Sequence, residues 1–250
     1  DLVGILNGID TRDWDPATDR FLPRHYEFAH LRGKEANRTA LRQRLGLDAG
    51  SAGPLLGSVG RITHQKGIDL LAAIIDDIAA LPAQLVVLGT GTRALESSLQ
   101  EAAGRHPGRV AVVVGFDEGL AHLIEAGADM FVMPSRFEPC GLNQMYSLRY
   151  ATPPIVRATG GLADTVVDFS AANLEDDSAN GFVFADATAE ALLGAIRRGI
   201  AAWHNRPLWR RLQRNGMRQE FGWSGAAASY RAVYSGLLKG SAKEPAPIRQ

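Results

Sequence analysis

Short apolar runs alternate with helix-length amphipathic segments from about residue 54 to residue 238. The runs fall at 55–59, 84–88, 109–114, 129–133, 154–156 and 181–184, and most are nearly continuous in hydrophobic residues. A strand covered on both faces reads this way, whereas a strand with one wet face alternates. Between the first two runs, residues 67–80 carry Leu71, Ile74, Ile75 and Ile78 at the spacing of one buried helix face, with Asp76 and Asp77 on the other side. Further helices are expected over 34–45 (ended by Gly46), from Gly91 to about 103, over 120–126, from Gly141 to about 150, and over 188–203, 207–219 and 224–238. Strands that alternate with helices make βαβ units and a parallel sheet. The fold class expected is therefore α/β, a single doubly wound Rossmann-like domain, without internal repeats. It divides into an irregular lead-in over 1–50, a core over 54–186 that includes a polar loop at 170–180, and closing helices over 188–238. Residues 239–250 read as a disordered tail.

Composition narrows the partners. Lysine plus arginine and aspartate plus glutamate both number 27, so the basic excess of a general nucleic-acid or anionic-membrane binder is missing. No apolar run approaches the roughly 18–20 residues of a membrane span. Cys140 is the single cysteine, which excludes an internal disulfide and fits a reducing cytoplasm. The opening DLVGILNGID has no signal-peptide pattern and reads like a strand end and turn from the middle of a longer protein.

Ligands of open α/β sheets bind outside the carboxyl ends of the strands, so the chemistry is sought in the loops that follow the runs. They are 60–67 (GRITHQKG), 89–91 (GTG), 115–118 (GFDE) and 134–141 (PSRFEPCG). Gly60, Gly89 and Gly91 allow close backbone approach, and Arg61 and Lys66 are two cations within reach of a diphosphate. Two charges in contact are worth roughly 4 kcal/mol at an effective dielectric near 20, and that attraction grows with charge on a departing phosphate. Gly141 is expected to open a helix whose free N–H groups form an anion site. Glu138, which a phosphate would repel, is expected to face a neutral sugar and accept its hydroxyls. No His/Asp/Cys cluster has metal-ligand spacing. Cys140 has no histidine nearby in sequence, and a pocket-lining thiol suits it better than catalysis.

Four ordered blocks, LNGIDTRDWDP (6–16), GRITHQKGIDLL (60–71), FEPCGLNQ (137–144) within 134–152, and RATGGLADTVVD (157–168), resemble the signatures of bacterial glycogen synthases and plant starch synthases. The resemblance implies the C-terminal half of a GT-B glycosyltransferase, in which two Rossmann-like domains face each other across a cleft. It implies transfer of glucose from ADP-glucose to the non-reducing end of an α-1,4-glucan with retained configuration, by front-face attack and without a metal. Arg61 and Lys66 match the family's diphosphate-neutralising pair, and Glu138 the carboxylate that holds the donor glucose. Cys140, Gly141 and Leu142, with Asn143 beside them, would line the sugar and phosphate pocket, and Phe116 would sit by the adenine. Tyr146 stands where the wider superfamily often has a second glutamate, a change the synthases tolerate, and His64 needs only to be polar.

The resemblance implies an N-terminal domain with a Lys-Thr-Gly-Gly-Leu loop that this sequence does not contain, so the chain is expected to bind ADP or ADP-glucose yet be catalytically incomplete. Two alternatives stay open: a stand-alone nucleotide-binding or interaction module, and a transferase that uses UDP-glucose. The closing helix, which in the family crosses back to the N-terminal domain, could expose Trp223, Tyr230 and Tyr234 as an apolar stripe or pack them on this domain's own core.

Overall fold

The computed structural model describes residues 3–241. Six strands form one parallel sheet: β1 (Leu55–Val59), β2 (Gln84–Gly89), β3 (Val110–Val114), β4 (Met130–Met133), β5 (Pro154–Arg157) and β6 (Phe182–Phe184). Their spatial order is β3-β2-β1-β4-β5-β6. The chain winds outward from β1 to β3, returns to the far side of β1 and winds outward again. The loops that leave β1 and β4 therefore diverge and open a crevice at the carboxyl edge. At this seam Leu56 pairs with Met130 and Gly57 with Phe131.

The helices are α1 (Arg32–Arg44), α2 (Ile68–Ala73), α3 (Ile75–Ala80), α4 (Arg93–Arg105), α5 (Glu118–Gly127), α6 (Asn143–Arg149), α7 (Gly160–Thr165), α8 (Ala171–Glu175), α9 (Ala189–His204), α10 (Arg206–Met217) and α11 (Trp223–Ser241). Alternate strand residues serve opposite faces. Leu56, Leu85, Val87, Met130 and Val132 pack with α2, α3, α4, α9 and α10, whereas Leu55, Val86, Leu88, Phe131 and Met133 pack with α1, α5 and α7. Burial on both faces is the reason for the continuous apolar runs. Asp117, Thr188 and Asn205 accept hydrogen bonds from Leu120 N–H, Ala191 N–H and Leu208 N–H, which satisfies free donors at the starts of α5, α9 and α10. Pro207 follows in the first turn of α10, where no N–H is needed.

Three local expectations are corrected. The helix over 67–80 is two helices: at Ile74 the backbone leaves helical geometry and its N–H bonds to Leu71 O (3.2 Å). This tightened turn keeps Leu71, Ile74, Ile75 and Ile78 all buried. The polar loop at 170–180 contains α8, begun by Ser170, whose side chain accepts from Asn173 N–H. The segment after β5, for which no element is expected, contains α7. Helix α11 continues to Ser241, so the expected tail begins in helix, and residues 242–250 lie outside those described.

The lead-in lacks regular structure before α1, yet it is fastened by side chains. The Trp14 ring is sandwiched between His122 and Tyr146, each 3.8 Å away. Arg149 holds Trp14 O (2.5 Å) and Asp15 (2.6 Å). Buried Asp19 accepts from the Tyr150 hydroxyl (2.6 Å) and lies 2.7 Å from His122 Nδ1. Trp223, Tyr230 and Tyr234 are exposed on α11 rather than packed on the core. No helix among the described residues is long and apolar enough to cross a membrane.

Candidate functional site

The crevice between the exits of β1 and β4 has a volume of about 240 Å³. Gly60, Arg61, Lys66, Glu138, Gly141, Leu142 and Asn143 line it, together with Ser58 and Ser135. Seven of the residues singled out in the sequence thus converge on one cavity. Gly89, Gly91, Phe116 and Cys140 do not line it.

The two exit loops are locked together by backbone. Gly67 adopts a left-handed φ of 69°, and a Cβ there would lie 1.9 Å from Pro134 O, so only glycine lets the loops approach this closely. Arg136 ties them further. Its guanidinium grips Asp69 with both nitrogens (2.6 and 2.8 Å) and donates to His64 O (2.9 Å), while its N–H donates to Gln65 O (2.9 Å). Burial raises the Asp69 carboxyl, but the hydrogen bonds and charge of Arg136 outweigh it and hold Asp69 below the usual carboxylate range. Arg157 completes the brace by donating to Ser135 O (2.9 Å) and Arg136 O (2.5 Å). The sequence reading missed all three braces. Asp69, a carboxylate in the first helical turn facing a cationic loop, was the available signal.

Behind Glu138 the glycines of the TGGL block act as a buttress. A Cβ on Gly160 would fall 2.2 Å from Glu138 O and one on Gly161 2.0 Å from Cys140 O, and Gly161 N–H donates to Glu138 O (3.1 Å). Glu138 itself is only 7% exposed. It forms a short ion pair with Lys66 and accepts from the Ser135 hydroxyl (3.3 Å). Lys66 thus has an anionic partner within the protein, a contact that the sequence reading did not include. Arg61, in contrast, is exposed and makes one weak contact, to Gln65 Oε1 at 3.4 Å. It is the freer of the two cations.

Other expectations shift in detail. Gly141 does not open the helix. It adopts a left-handed φ of 73°, and α6 begins two positions later at Asn143, behind the cap residue Leu142. Asn143 turns its amide inward to Val59 O (2.7 Å) and fixes the end of β1. Gly89 and Gly91 give room to the chain rather than to the cavity, since Cβ atoms there would lie 1.8 Å from Gly60 O and 1.9 Å from Ile62 O. Phe116 is 93% exposed on the loop after β3. The Cys140 thiol is half-buried beside the lead-in and accepts from Asn7 N–H at 3.4 Å. His64 is largely exposed, with Nε2 3.7 Å from Asp69 Oδ2. Among the described residues, no group of His, Cys, Asp or Glu converges as metal ligands would.

A crevice that joins one exposed guanidinium, an ammonium paired with a sheltered carboxylate, and loop backbone suits a ligand with an anionic end and a hydroxyl-rich end. Comparison with known proteins identifies the family. Residues 38–219 match the family described as glycosyl transferases group 1. The glycogen synthase of Nitrosospira multiformis is 54% identical over 237 residues, and that of Dechloromonas aromatica 55% over 234. These alignments cover 95% and 94% of this chain but 48% of each relative, so the chain spans about half their length. Among solved structures, the catalytic domain of starch synthase IV from Arabidopsis thaliana, bound to ADP and acarbose, superposes with a TM-score of 0.89 at 36% identity, over 95% of this chain and 49% of that one. Sucrose-phosphate synthase from Thermosynechococcus elongatus, at 24% identity and a TM-score of 0.63 over 94% of this chain and 52% of that one, shares the fold. The chain belongs to the group 1 glycosyl transferases, and within them it is the Rossmann-like C-terminal domain of the bacterial glycogen and starch synthase type.

Proposed function

We propose that this chain is the donor-binding domain of a retaining glucosyltransferase that moves glucose from ADP-glucose to the non-reducing end of an α-1,4-glucan. The observation that carries the reading is the meeting of Arg61, Lys66 and Glu138 in one crevice at the switch point of the sheet. Arg61 neutralises the diphosphate. Lys66 bridges it to Glu138, whose carboxylate accepts hydroxyls of the donor glucose. Gly60, Gly141 and Leu142 offer backbone and a small apolar wall, Asn143 secures the β1 exit, and Phe116 presents a ring face to the base. Gly89 and Gly91 act by shaping that exit, and Cys140 by anchoring the lead-in.

As the bond from glucose C1 to the diphosphate oxygen breaks, negative charge gathers on the leaving phosphate, and Arg61 and Lys66 hold it more tightly than in the ground state. The acceptor hydroxyl bonds to C1 on the same face and passes its proton to the departing phosphate. Closure of the crevice by a second domain would exclude water and position the glucan, so the chain alone binds donor with little or no turnover. A lone thiol suits the cytoplasm as the compartment.

Calorimetric titration with ADP, ADP-glucose and UDP-glucose tests this, beside an Arg61→Ala/Lys66→Ala variant. Binding of the adenine ligands in preference to UDP-glucose, lost in the variant, is the expected result. Equal binding by the variant would overturn the assignment of the crevice.

A further inference from the structure

A second, larger groove lies at the amino-terminal edge of the sheet, where Asp129 precedes β4 and accepts the N–H of Leu55, the first residue of β1 (2.8 Å). Helices α1 and α10 enclose about 810 Å³ there, within the range of small-molecule sites, about 300–1,000 Å³. Five arginines line it, Arg32, Arg38, Arg206, Arg210 and Arg214, against two carboxylates, Glu35 and Asp129. Both carboxylates are already engaged by Arg38 (3.5 and 3.3 Å). Arg206 lies over the Trp203 ring, 3.7 Å from its centroid. Among the described residues, Arg32, Arg210 and Arg214 have no ion-pair or side-chain hydrogen-bond partner.

Arg206, Arg210 and Arg214 recur every fourth residue along one face of α10. Like charges at that spacing destabilise a helix, and no acid in the groove is left to offset them. An arginine fork binds phosphate oxygens in pairs, which a lysine ammonium cannot do. We propose that this groove binds a compact anion carrying two or more phosphate groups, at a site separate from the crevice and at the opposite edge of the sheet.

The test is calorimetric titration of inorganic tripolyphosphate into the Arg61→Ala/Lys66→Ala chain, in which the crevice is silenced. One tripolyphosphate per chain is expected to bind. The further changes Arg206→Gln, Arg210→Gln and Arg214→Gln together should weaken binding at least about tenfold, a change of roughly 1.4 kcal/mol, and an Arg→Lys set should fall between. Without anion an Arg210→Gln/Arg214→Gln variant, which keeps Arg206 on the Trp203 ring, should melt no lower than its parent because repulsion has been removed, and tripolyphosphate should raise the melting temperature of the parent but not of the triple Gln variant. Absence of binding, or affinity unchanged in the triple Gln variant, would overturn the proposal. So would tighter, arginine-dependent binding of a short RNA, which would mark a macromolecular surface instead.

Discussion

The cluster around Asp19 and the crevice at the carboxyl edge are both polar, but their hydrogen bonds end in different places. Asp19 is buried and takes Tyr150 Oη, Phe21 N–H and the His122 ring within the protein. Burial pushes its carboxyl up, yet the hydrogen bonds from His122, Tyr150 and Phe21 outweigh this and hold it below the ordinary aspartate value. Nearby, the buried Lys34 ammonium donates to Ala126 O (3.0 Å), Tyr150 O (3.0 Å) and the Thr152 hydroxyl (2.6 Å). In the crevice, Arg61 faces water and Lys66 is half-buried, while the bracing is done from behind by Arg136, Arg157 and the Gly160–Gly161 backbone. The first arrangement ties the lead-in to α5 and α6 and leaves little for a ligand. The second spends its rigidity on the loops and keeps its charges available. Stability and affinity should therefore respond to different residues.

The largest expected effect is on stability. Asp19→Ala leaves His122 and Tyr150 buried without their shared acceptor and should lose about 3–5 kcal/mol in urea unfolding, with ADP affinity in the surviving folded protein essentially unchanged. A small loss would show that the lead-in contributes little.

The next is a pH slope. Burial lowers Lys34 from 10.5 to about 7, against the pull of Asp129 and Glu125, so the unfolded chain binds the proton more tightly than the folded one. Stability from this group is therefore gained as pH rises from about 7 towards 10, by at most about 1.4 kcal/mol per pH unit. Measured against Lys34→Met, which also removes the group's coupling to buried Glu125, a flat difference would place the ammonium in a better-solvated setting.

The smallest is Arg136→Ala. It should weaken ADP binding about tenfold and cost less than about 1 kcal/mol of stability, as half-exposed ion pairs do. If it unfolds the chain as readily as Asp19→Ala, the division between the two clusters fails.

Periodicity carried the sheet because hydrophobic burial is local information: each strand announces itself by its own residues. It misplaced the helix over 67–80 because the stripe Leu71, Ile74, Ile75, Ile78 is compatible with one helix or with two joined by a tight turn, and spacing alone does not report the dihedral at Ile74. The convergence of Arg61, Lys66 and Glu138 was legible because all three fall in loops that follow apolar runs, and such loops gather at the carboxyl edge of an open α/β sheet. The ion pair between Lys66 and Glu138 was not, since it depends on side-chain reach across two loops. The Asp19–His122–Tyr150 cluster was still less accessible: its members lie in three segments far apart in the chain, and none carries a local pattern. Gly89 and Gly91 were read as glycines that admit a ligand, and the atoms that approach them in the structure are Gly60 O and Ile62 O.

The seam between β1 and β4 also has a consequence for how the protein assembles. Its pairs, Leu56 with Met130 and Gly57 with Phe131, join segments of high sequence separation, whereas β1 and β2 each pair with their successors in the chain. Loop-closure entropy disfavours such distant pairing early, so the β1–β3 half can gather first and the seam closes late. The crevice exists only once that seam has closed. A ligand seated there binds the finished chain and none of its partly formed predecessors, and so should act chiefly by slowing unfolding rather than by hastening folding.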